Sequence, residues 1–367
     1  MFYKVLKCLF FSYLYFSGTS ILLGQVKFVN EFLNIGVGAR AHGMFGSVVA
    51  TVNDGASGYW NPAGLVGVES PLQFNAMHAN WFGGIANYDY LSIVKSFNNE
   101  IKSVGGITLI RMGIDNIPNT LNLIGPDGSV DYNRVFEFSA ADYAAIFSYG
   151  RYLGSNKNLK AGVSAKIIHR SIGSFGSAWG FGFDLGTQFK MGKFKVGIAG
   201  RDITTTFNAW SFNLTDEERD VFIATGNDIP ISSTEITLPR IVLGLAFDKA
   251  GESISYLVET NLNISTNGTK AGLFSGRRFS VDPTIGVEVG INNLAFIRGG
   301  LGNIQRLINE VNAAETSIEF QPNVGMGLRL GKMSIDYALT NIGSLSGVLA
   351  SHIFSIKLDF ESKRTNQ

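Results

Sequence analysis

The sequence has few charged residues and almost no cysteine. Charged side chains make up 16% of the 367 residues, where soluble domains average about 25%. Cys8 is the single cysteine. No apolar run of the roughly 18 residues that a membrane helix needs follows the N-terminus, which argues against a helical membrane bundle. The formal net charge of +1, without a Lys or Arg cluster, gives no reason to expect a nucleic-acid partner.

Glycine and aromatic residues are abundant instead. The chain has 44 Gly and 28 Phe, spread along its length without a collagen period or a low-complexity block. This distribution excludes a fibre and a disordered chain. The composition favours a large β protein.

Residues 1–24 have the pattern of a secretory signal peptide. Lys4 and Lys7 precede an apolar stretch, and small or apolar residues continue to Gly24. An anchoring N-terminal helix is the alternative. Because Cys8 lies in this segment, the mature chain is predicted to lack cysteine and disulfides.

From Leu72 onwards, apolar residues alternate with glycine or polar residues, which is the period of a β-strand. In the run 179–189, one face is largely aromatic and the other carries Gly, Asp and Gln. Fourteen strands are predicted near 72–80, 86–97, 103–112, 136–150, 158–172, 177–190, 193–203, 237–248, 253–264, 280–292, 293–301, 321–331, 333–340 and 351–360.

The connections between these strands alternate in length, as they do in outer-membrane β-barrels. Short turns are predicted at one rim and long loops at the other, including loops 113–135 and 204–236. All prolines lie before the strands, at strand starts or in loops. We therefore predict a 14-stranded antiparallel transmembrane β-barrel over 71–360 and a polar tail over 361–367. A soluble β-sandwich or propeller is the alternative.

Residues 25–70 differ in composition from the predicted strands that follow them. They are too polar to span lipid and too long for an ordinary linker. Because a fourteen-stranded barrel is too wide to be filled by its own side chains, we predict that this segment is a plug, or hatch, in the lumen. Arg40 and Asp54 lie in it, and each should pair with a hatch or lumen group, possibly with each other, unless both face water.

The hatch contains Gly36, Gly38, Arg40 and Gly43, then Asp54, and then the run Asn61-Pro62-Ala63. These residues resemble the N-terminal signature of the PorV/PorQ family of the Bacteroidetes, which is itself similar to the FadL fatty-acid transporters. The resemblance implies a FadL-like barrel and assigns a structural or gating role to the signature residues. These are Gly36, Gly38, Arg40, Gly43, Asp54, Asn61, Pro62 and Ala63.

The resemblance also implies a function and a location in the outer membrane, in contact with its lipid. PorV-like barrels belong to the type IX secretion system, where they bind cargo proteins with C-terminal sorting domains and a large translocon barrel. Loop residues expected to contact such partners are Asn119, Asp127, Trp210 and Asp216. The alternative is a FadL-like channel for hydrophobic small molecules. The polar inner face predicted for strand 179–189 argues against a lipophilic pocket but does not exclude one.

No enzyme, cofactor or metal is predicted. The chain has neither a nucleophile-elbow pattern nor a phosphate-binding loop. The four histidines are scattered, without metal-ligand spacing. The acidic run that begins at Asp216 could bind calcium, but a solvated loop is the simpler interpretation.

Overall fold

The computed structural model describes residues 29–97, 102–124, 129–154, 157–266, 274–275, 279–308, 316–342 and 350–361. The predicted signal peptide, Asp127 and residues 362–367 of the predicted tail lie outside the described residues.

The N-terminal segment folds into short helices and turns. Its elements are a 3-10 helix Glu31–Asn34, α1 (Ala39–Gly43), α2 (Ser57–Trp60) and a second 3-10 helix Pro62–Gly67. Gly38 precedes α1 with φ of 85°, a left-handed conformation that favours glycine. Asn61 caps the last helix and Pro62 starts it, where the missing N–H costs nothing. Each of these helices is only one or two turns long, so the chain reverses direction often and the segment stays compact.

One antiparallel sheet contains all the strands. They are β1 (Leu72–Trp81), β2 (Ala86–Phe97), β3 (Ser103–Asn119), β4 (Phe136–Leu153), β5 (Leu159–Ile172), β6 (Gly176–Met191), β7 (Phe194–Arg201), β8 (Thr206–Phe212), β9 (Thr234–Thr237), β10 (Arg240–Lys249), β11 (Ile254–Ser265), β12 (Phe274–Ser275), β13 (Ser280–Ile291), β14 (Ala295–Ile308), β15 (Thr316–Leu330), β16 (Met333–Thr340) and β17 (Ser351–Phe360).

The sheet is closed, because β1 pairs with β2 on one side and with β17 on the other. Strand β8 continues β7 after a break at Asp202–Thr205, and β9 leads into β10. Since β12 is only two residues long, fourteen strands of the described chain form the wall. The predicted 14-stranded antiparallel barrel is confirmed.

The two rims differ as the sequence predicts. At one rim the strands are joined by turns as short as Gly331–Lys332, and at the other rim by the longer connections. The predicted loop 204–236 is wrong in detail. It contains β8, β9 and a helix, α3 (Asp216–Ala224), which starts at a capping box formed by Thr215 and Glu218.

Side chains alternate between the lumen and the outer surface. On β6, Trp179 and Phe181 point outward and are exposed, whereas Asp184 and Gln188 point inward and are buried. The same alternation gives most of the wall an exposed apolar belt, as expected of a barrel surface in contact with lipid. In the described part of the chain, no helix is both long enough and apolar enough to cross a membrane.

Candidate functional site: the hatch and the barrel lumen

The Asn-Pro-Ala turn of the hatch is fixed against the inner wall. Asn61 is fully buried and donates from Nδ2 to the carbonyl oxygens of Val49, at 2.9 Å, and of Thr187 on β6, at 3.0 Å. Its Oδ1 accepts a hydrogen bond from the backbone N–H of Ala63, at 3.2 Å. One side chain therefore joins two parts of the hatch to the barrel.

Glycines on the inner wall make this close approach possible. A Cβ atom at Gly150 would lie 2.8 Å from the carbonyl oxygen of Pro62, and a Cβ atom at Gly186 would overlap the Asn61 amide. Gly162 likewise faces the backbone of Pro62 and Ala63. The hatch backbone thus packs directly on the strand backbone of β4, β5 and β6.

Arg40 is paired with the wall and not with Asp54. It donates from Nε and Nη2 to the two carboxylate oxygens of Glu288 on β13, at 2.9 and 3.1 Å. Arg298 on β14 donates to the same Glu288, at 2.6 Å, and to Asp336 on β16, also at 2.6 Å. The four side chains form one network of alternating charge in the lumen.

Asp54 has a local role in the hatch. Its Oδ1 accepts a hydrogen bond from the backbone N–H of Ala56, at 3.0 Å, just before α2. The expectation that each charge is satisfied by a hatch or lumen group holds for both residues, but their direct pairing does not occur.

The other glycines of the signature shape the start of the hatch. Gly36 has φ of 101° and packs against the Trp60 ring. Gly43 ends α1 where a Cβ atom would lie 3.0 Å from the Cα of Gly325 on β15. Any larger residue at these positions would push the hatch away from its neighbours.

Glu259 on β11 holds the hatch at a point that the sequence did not reveal. It is fully buried and accepts hydrogen bonds from the backbone N–H of Ala50, at 2.7 Å, and from Thr51 Oγ1, at 2.5 Å. The only signal in the sequence is a Glu at an inward position of the alternating pattern. Because many inward positions are polar, that signal does not distinguish a hatch contact from a water contact.

A second cluster of buried charged side chains lies in the wall beside the break between β7 and β8. Lys166 Nζ lies 2.9 Å from Asp184 and 2.5 Å from Asp202, and the described side chains of this trio are almost completely buried. Asp202 is the first residue of the break, with φ of 53°. The ion pairs hold the bend between β7 and β8 in place.

An apolar compartment occupies one side of the lumen. It lies between the inner faces of β16, β17 and β1 to β5 and the hatch residues Phe32, Leu33, Val37, Ala39 and Tyr59. Its wall residues are Met77, Ala79, Trp81, Ala86, Tyr88, Tyr90, Ile110, Ala144, Ile146, Ile168, Ala338 and Ile353. The far side of the lumen, by contrast, carries the network around Glu288 and the buried Glu259.

Several polar atoms bordering this compartment have no hydrogen-bond partner among the described residues. They include Trp81 Nε1, Tyr88 Oη and His42 Nε2. Burial lowers the pKa of His42, a hatch residue, to about 4. The imidazole is therefore neutral at pH 7, and these atoms form a set of unpaired polar groups in an otherwise apolar space.

Two cavities pass beside the hatch on its β16–β17 side. A polar one of about 250 Å³ extends from the short-turn rim at Asn293, and a small one of about 40 Å³ reaches Tyr90 at the apolar compartment. Both are lined by Arg40, Asp54 and Asp336.

The predicted partner-binding residues are not all in loops. Asp216 is exposed at the start of α3. Asn119 is the last residue of β3, is buried and accepts a hydrogen bond from the Leu121 N–H. Trp210 lies on β8 with its ring facing the lumen, where Nε1 donates to Glu235 at 2.9 Å. The loop positions expected for Asn119 and Trp210 are wrong, because β3 runs seven residues past its predicted end at 112 and β8 occupies part of the predicted loop.

Solved structures with the same architecture are transporters and channels. The toluene transporter TodX of Pseudomonas putida is 13% identical, with a TM-score of 0.55, over 89% of this chain and 99% of its own. The toluene transporter TbuX of Ralstonia pickettii is 12% identical, with a TM-score of 0.52 and coverage of 89% and 99%. A FadL homologue of Pseudomonas aeruginosa is 12% identical, with a TM-score of 0.53 and coverage of 89% and 98%.

At such identities the likeness shows the fold alone, which is that of the FadL-type barrels. No family model matches the chain. No curated protein sequence matches it either. The FadL-like part of the resemblance is thus confirmed for the fold, and the PorV/PorQ part stays a prediction.

Proposed function

We propose that the protein is an outer-membrane channel for hydrophobic small molecules, gated by the N-terminal part of the hatch. The observation that carries this proposal is the apolar compartment, which is the largest of the buried apolar clusters that the described hatch and wall residues form inside the barrel. Phe32 and Leu33 pack into it from the hatch side, and their displacement would expose its apolar wall to a ligand. The sequence favours secretion over transport because the inner face of β6 is polar, although apolar hatch residues such as Phe32 and Leu33 keep transport as the alternative.

The structural neighbours support the same assignment. TodX and TbuX are described as toluene transporters. Toluene transport is a property of those proteins, and its transfer to this chain is part of the proposal. The unpaired hydroxyl group of Tyr88 further supports a ligand with a polar group on an apolar body, because this hydroxyl would gain a hydrogen bond from it.

The hatch segment that must move is hydrogen-bonded to the wall at Val29, Asn30 and Asn34. It is also bonded to the body of the hatch, where Tyr59 Oη donates to the Leu33 carbonyl oxygen. Asn30 Nδ2 donates to Thr237 Oγ1 at 3.0 Å, and Asn208 Nδ2 donates to Asn30 Oδ1, also at 3.0 Å. The body of the hatch is held separately, for example where Ser47 Oγ and Thr284 Oγ1 lie 2.8 Å apart. The Asn30–Thr237 and Ser47–Thr284 contacts offer sites for two engineered disulfides. One would fix the N-terminal part of the hatch and the other would fix its body.

The test is uptake of radiolabelled toluene and of a long-chain fatty acid by cells that lack their own FadL-type channel. Two cysteine pairs are compared, Asn30→Cys with Thr237→Cys and Ser47→Cys with Thr284→Cys, each oxidised and reduced. We expect the first disulfide to reduce uptake at least tenfold and reduction to restore it. The second disulfide should leave uptake unchanged, since the hatch body stays in place.

Comparison of the two redox states of one variant cancels any effect of the substitutions themselves. If cells with the wild-type protein take up neither compound faster than cells with an empty vector, the channel proposal is wrong for these two classes of compound. If both disulfides block uptake equally, the hatch moves as a whole and the gate is not its N-terminal part.

A component of the type IX secretion system is the second candidate. It is favoured by exposed apolar side chains at the long-loop rim, which suit a protein partner. These are Ile124, Val130, Tyr132, Ile223 and Ile231. Purification from outer membranes in mild detergent tests this: recovery of cargo with a C-terminal sorting domain, or of a very large barrel, would favour secretion over transport.

A further inference from the structure

Four lysines lie at the short-turn rim of the barrel, where the wall surrounds the mouth of the lumen. Lys160 is the second residue of β5, and Lys195 is the second residue of β7. Lys190 lies one residue before the end of β6, and Lys102 directly precedes β3. These four side chains, called the lysine arc here, have no role in the proposed channel.

The lysine arc faces the mouth and not the lipid. On β6, Lys190 follows the inward-facing Asp184 and Gln188 at the same two-residue period. The outward positions next to it are Phe189 and, on β7, Phe194, both exposed as expected of a lipid-facing surface. Lipid headgroups at this rim therefore lie on the other side of the wall from the arc.

The charges of the arc repel one another. Lys190 and Lys195 are direct cross-strand partners, and a like-charge pair in this position destabilises a sheet. Lys160 is repelled by the three other lysines. Of the four, only Lys195 is ion-paired with a carboxylate of the described residues, that of Asp248 at 2.5 Å. The arc is thus present at a cost to stability, which indicates a role outside folding.

The polar cavity beside the hatch extends this positive charge to the opposite side of the mouth. Its volume is about 250 Å³, and Lys195 lines it together with Arg329 and Lys357. Arg329 donates to the Asn293 side chain at 2.6 Å. Within the described part of the chain, neither Arg329 nor Lys357 forms an ion pair.

Unpaired cations outnumber unpaired carboxylates at this mouth. Among the described residues, the side chains at the mouth without an ion-pair partner are the cations of Lys102, Lys160, Lys190, Arg329 and Lys357 and the carboxylates of Asp54, Glu69 and Asp359. Two of these carboxylates accept hydrogen bonds within the protein, Asp54 from the Ala56 N–H and Asp359 from Ser70 and Gln73. The mouth therefore carries a net positive charge, to which an anionic partner is complementary.

The spacing of the arc favours an extended chain over a small anion. Because β4 and β5 separate β3 from β6, Lys102 and Lys190 are three strand spacings apart along the rim, which is about 14 Å. A phosphate or a single carboxylate is too small to contact both. In an extended peptide, alternate side chains point the same way at intervals of about 6.6 Å, so three alternate acidic residues span the arc.

We propose that the lysine arc binds an extended acidic segment of a soluble periplasmic protein. Short turns face the periplasm in outer-membrane barrels, and Lys102 and Lys190 are exposed at this rim. Lys160 is half-buried against the hatch, where its Nζ lies 3.4 Å from the position of a Cβ atom at Gly67. A segment bound along the arc therefore reaches the edge of the hatch.

The test uses the purified full chain in nanodiscs of phosphatidylcholine. The probe is a short fluorescein-labelled peptide of glycine and serine with glutamate at three alternate positions, and the control peptide has glutamine at those positions. Fluorescence anisotropy at low ionic strength measures binding. We expect the glutamate peptide to bind at least tenfold more tightly than the glutamine peptide. Citrate at the same carboxylate concentration should not displace it, because this compact anion cannot span the arc.

Variants connect the binding to the arc. Lys160→Gln and Lys190→Gln should each weaken binding several-fold, whereas Lys160→Arg should retain it, because the charge is kept. The matched control is Lys95→Gln, which removes the same charge from the outward face of β2 at the same rim and should leave binding unchanged. Retention of the barrel is checked for each variant by the heat-dependent shift in gel mobility.

The proposal fails if the two peptides bind the wild-type protein equally, or if Lys95→Gln weakens binding as much as Lys160→Gln. It also fails if citrate displaces the peptide, because the site would then take a small soluble anion. Loss of binding when phosphatidylglycerol is added to the nanodiscs would overturn it as well, because lipid headgroups would then occupy the arc. Because the readout is peptide binding, none of these outcomes bears on uptake through the lumen.

Discussion

At the scale of single residues, the lumen contains charged side chains, and the contribution of each one to stability depends on its partners. Glu288 accepts from both Arg40 and Arg298, whereas Arg298 also has Asp336. Without Glu288, the Arg40 guanidinium would have no hydrogen-bonded carboxylate. Without Arg40, Glu288 would still be paired with Arg298. Removal of one partner of a buried ion pair costs about 3–5 kcal/mol when the other is left alone.

We therefore predict that Glu288→Leu lowers the free energy of unfolding by about 3–5 kcal/mol and that Arg40→Met costs less than half as much. The measurement is urea unfolding of the full chain in lipid vesicles, followed by tryptophan fluorescence. Equal losses for the two variants would contradict the network and indicate two independent pairs.

Glycines of the inner wall have no side chain, and the hatch occupies the space that a side chain would take. We predict that Gly186→Val displaces the Asn-Pro-Ala turn, because a side chain there would overlap Asn61, and that the overpacking costs about 1–3 kcal/mol. The matched control is Gly299→Val, on the outward face of β14, where a Cβ atom meets nothing within 4 Å.

The measurement is limited proteolysis of the hatch in detergent. Faster cleavage is expected for Gly186→Val only. If Gly299→Val is cleaved equally fast, the effect of Gly186 comes from loss of strand glycine in general and not from contact with the hatch.

At the scale of elements, the alternating pattern predicted the position of the wall strands well and their long-loop ends poorly. The pattern predicts Pro118 in a loop and Pro322 at a strand start, but both lie inside strands. Each is next to a register shift, at Ile114/Ile117 on β3 and at Gly302/Gln305 on β14. Proline is tolerated at a bulge, and a bulge leaves no clear signature in a single sequence.

Helix α3 is an element that stands outside the wall. Its capping box joins Thr215 and Glu218, with the Glu218 N–H donating to Thr215 Oγ1 at 3.2 Å and the Thr215 N–H donating to Glu218 Oε2 at 2.8 Å. We predict that Thr215→Ala destabilises this helix by about 1 kcal/mol and leaves the barrel intact. Trypsin cleavage at the exposed Arg219 should then become faster, while the heat-dependent gel shift stays unchanged.

A cleavage rate equal to that of the wild type would mean that α3 is held by contacts other than its cap. The matched control is Thr225→Ala at the other end of the helix. Thr225 Oγ1 donates to helix carbonyl groups and accepts only from the Asn227 side chain, not from a backbone N–H of the helix, so its loss is expected to have a smaller effect.

At the scale of the whole molecule, the closed barrel followed from the sequence because its signals are repeated. Fourteen alternating strands and connections of two lengths agree with one another, so an error in one strand end changes little. The lumen contacts were not predictable in the same way. Nothing in the sequence links Arg40 to Glu288, which is 248 residues away, because the pairing depends on how the hatch sits in the closed barrel.

The difference between the two rims also predicts the orientation of the molecule in the membrane. Long connections face outward in outer-membrane barrels and short turns face the periplasm. Single cysteines in a Cys8→Ser background test this: Ile223→Cys on α3 and Lys332→Cys in the turn between β15 and β16, both exposed. We expect a membrane-impermeant maleimide to label the first variant in intact cells and the second only after lysis, whereas the reverse pattern would invert the barrel.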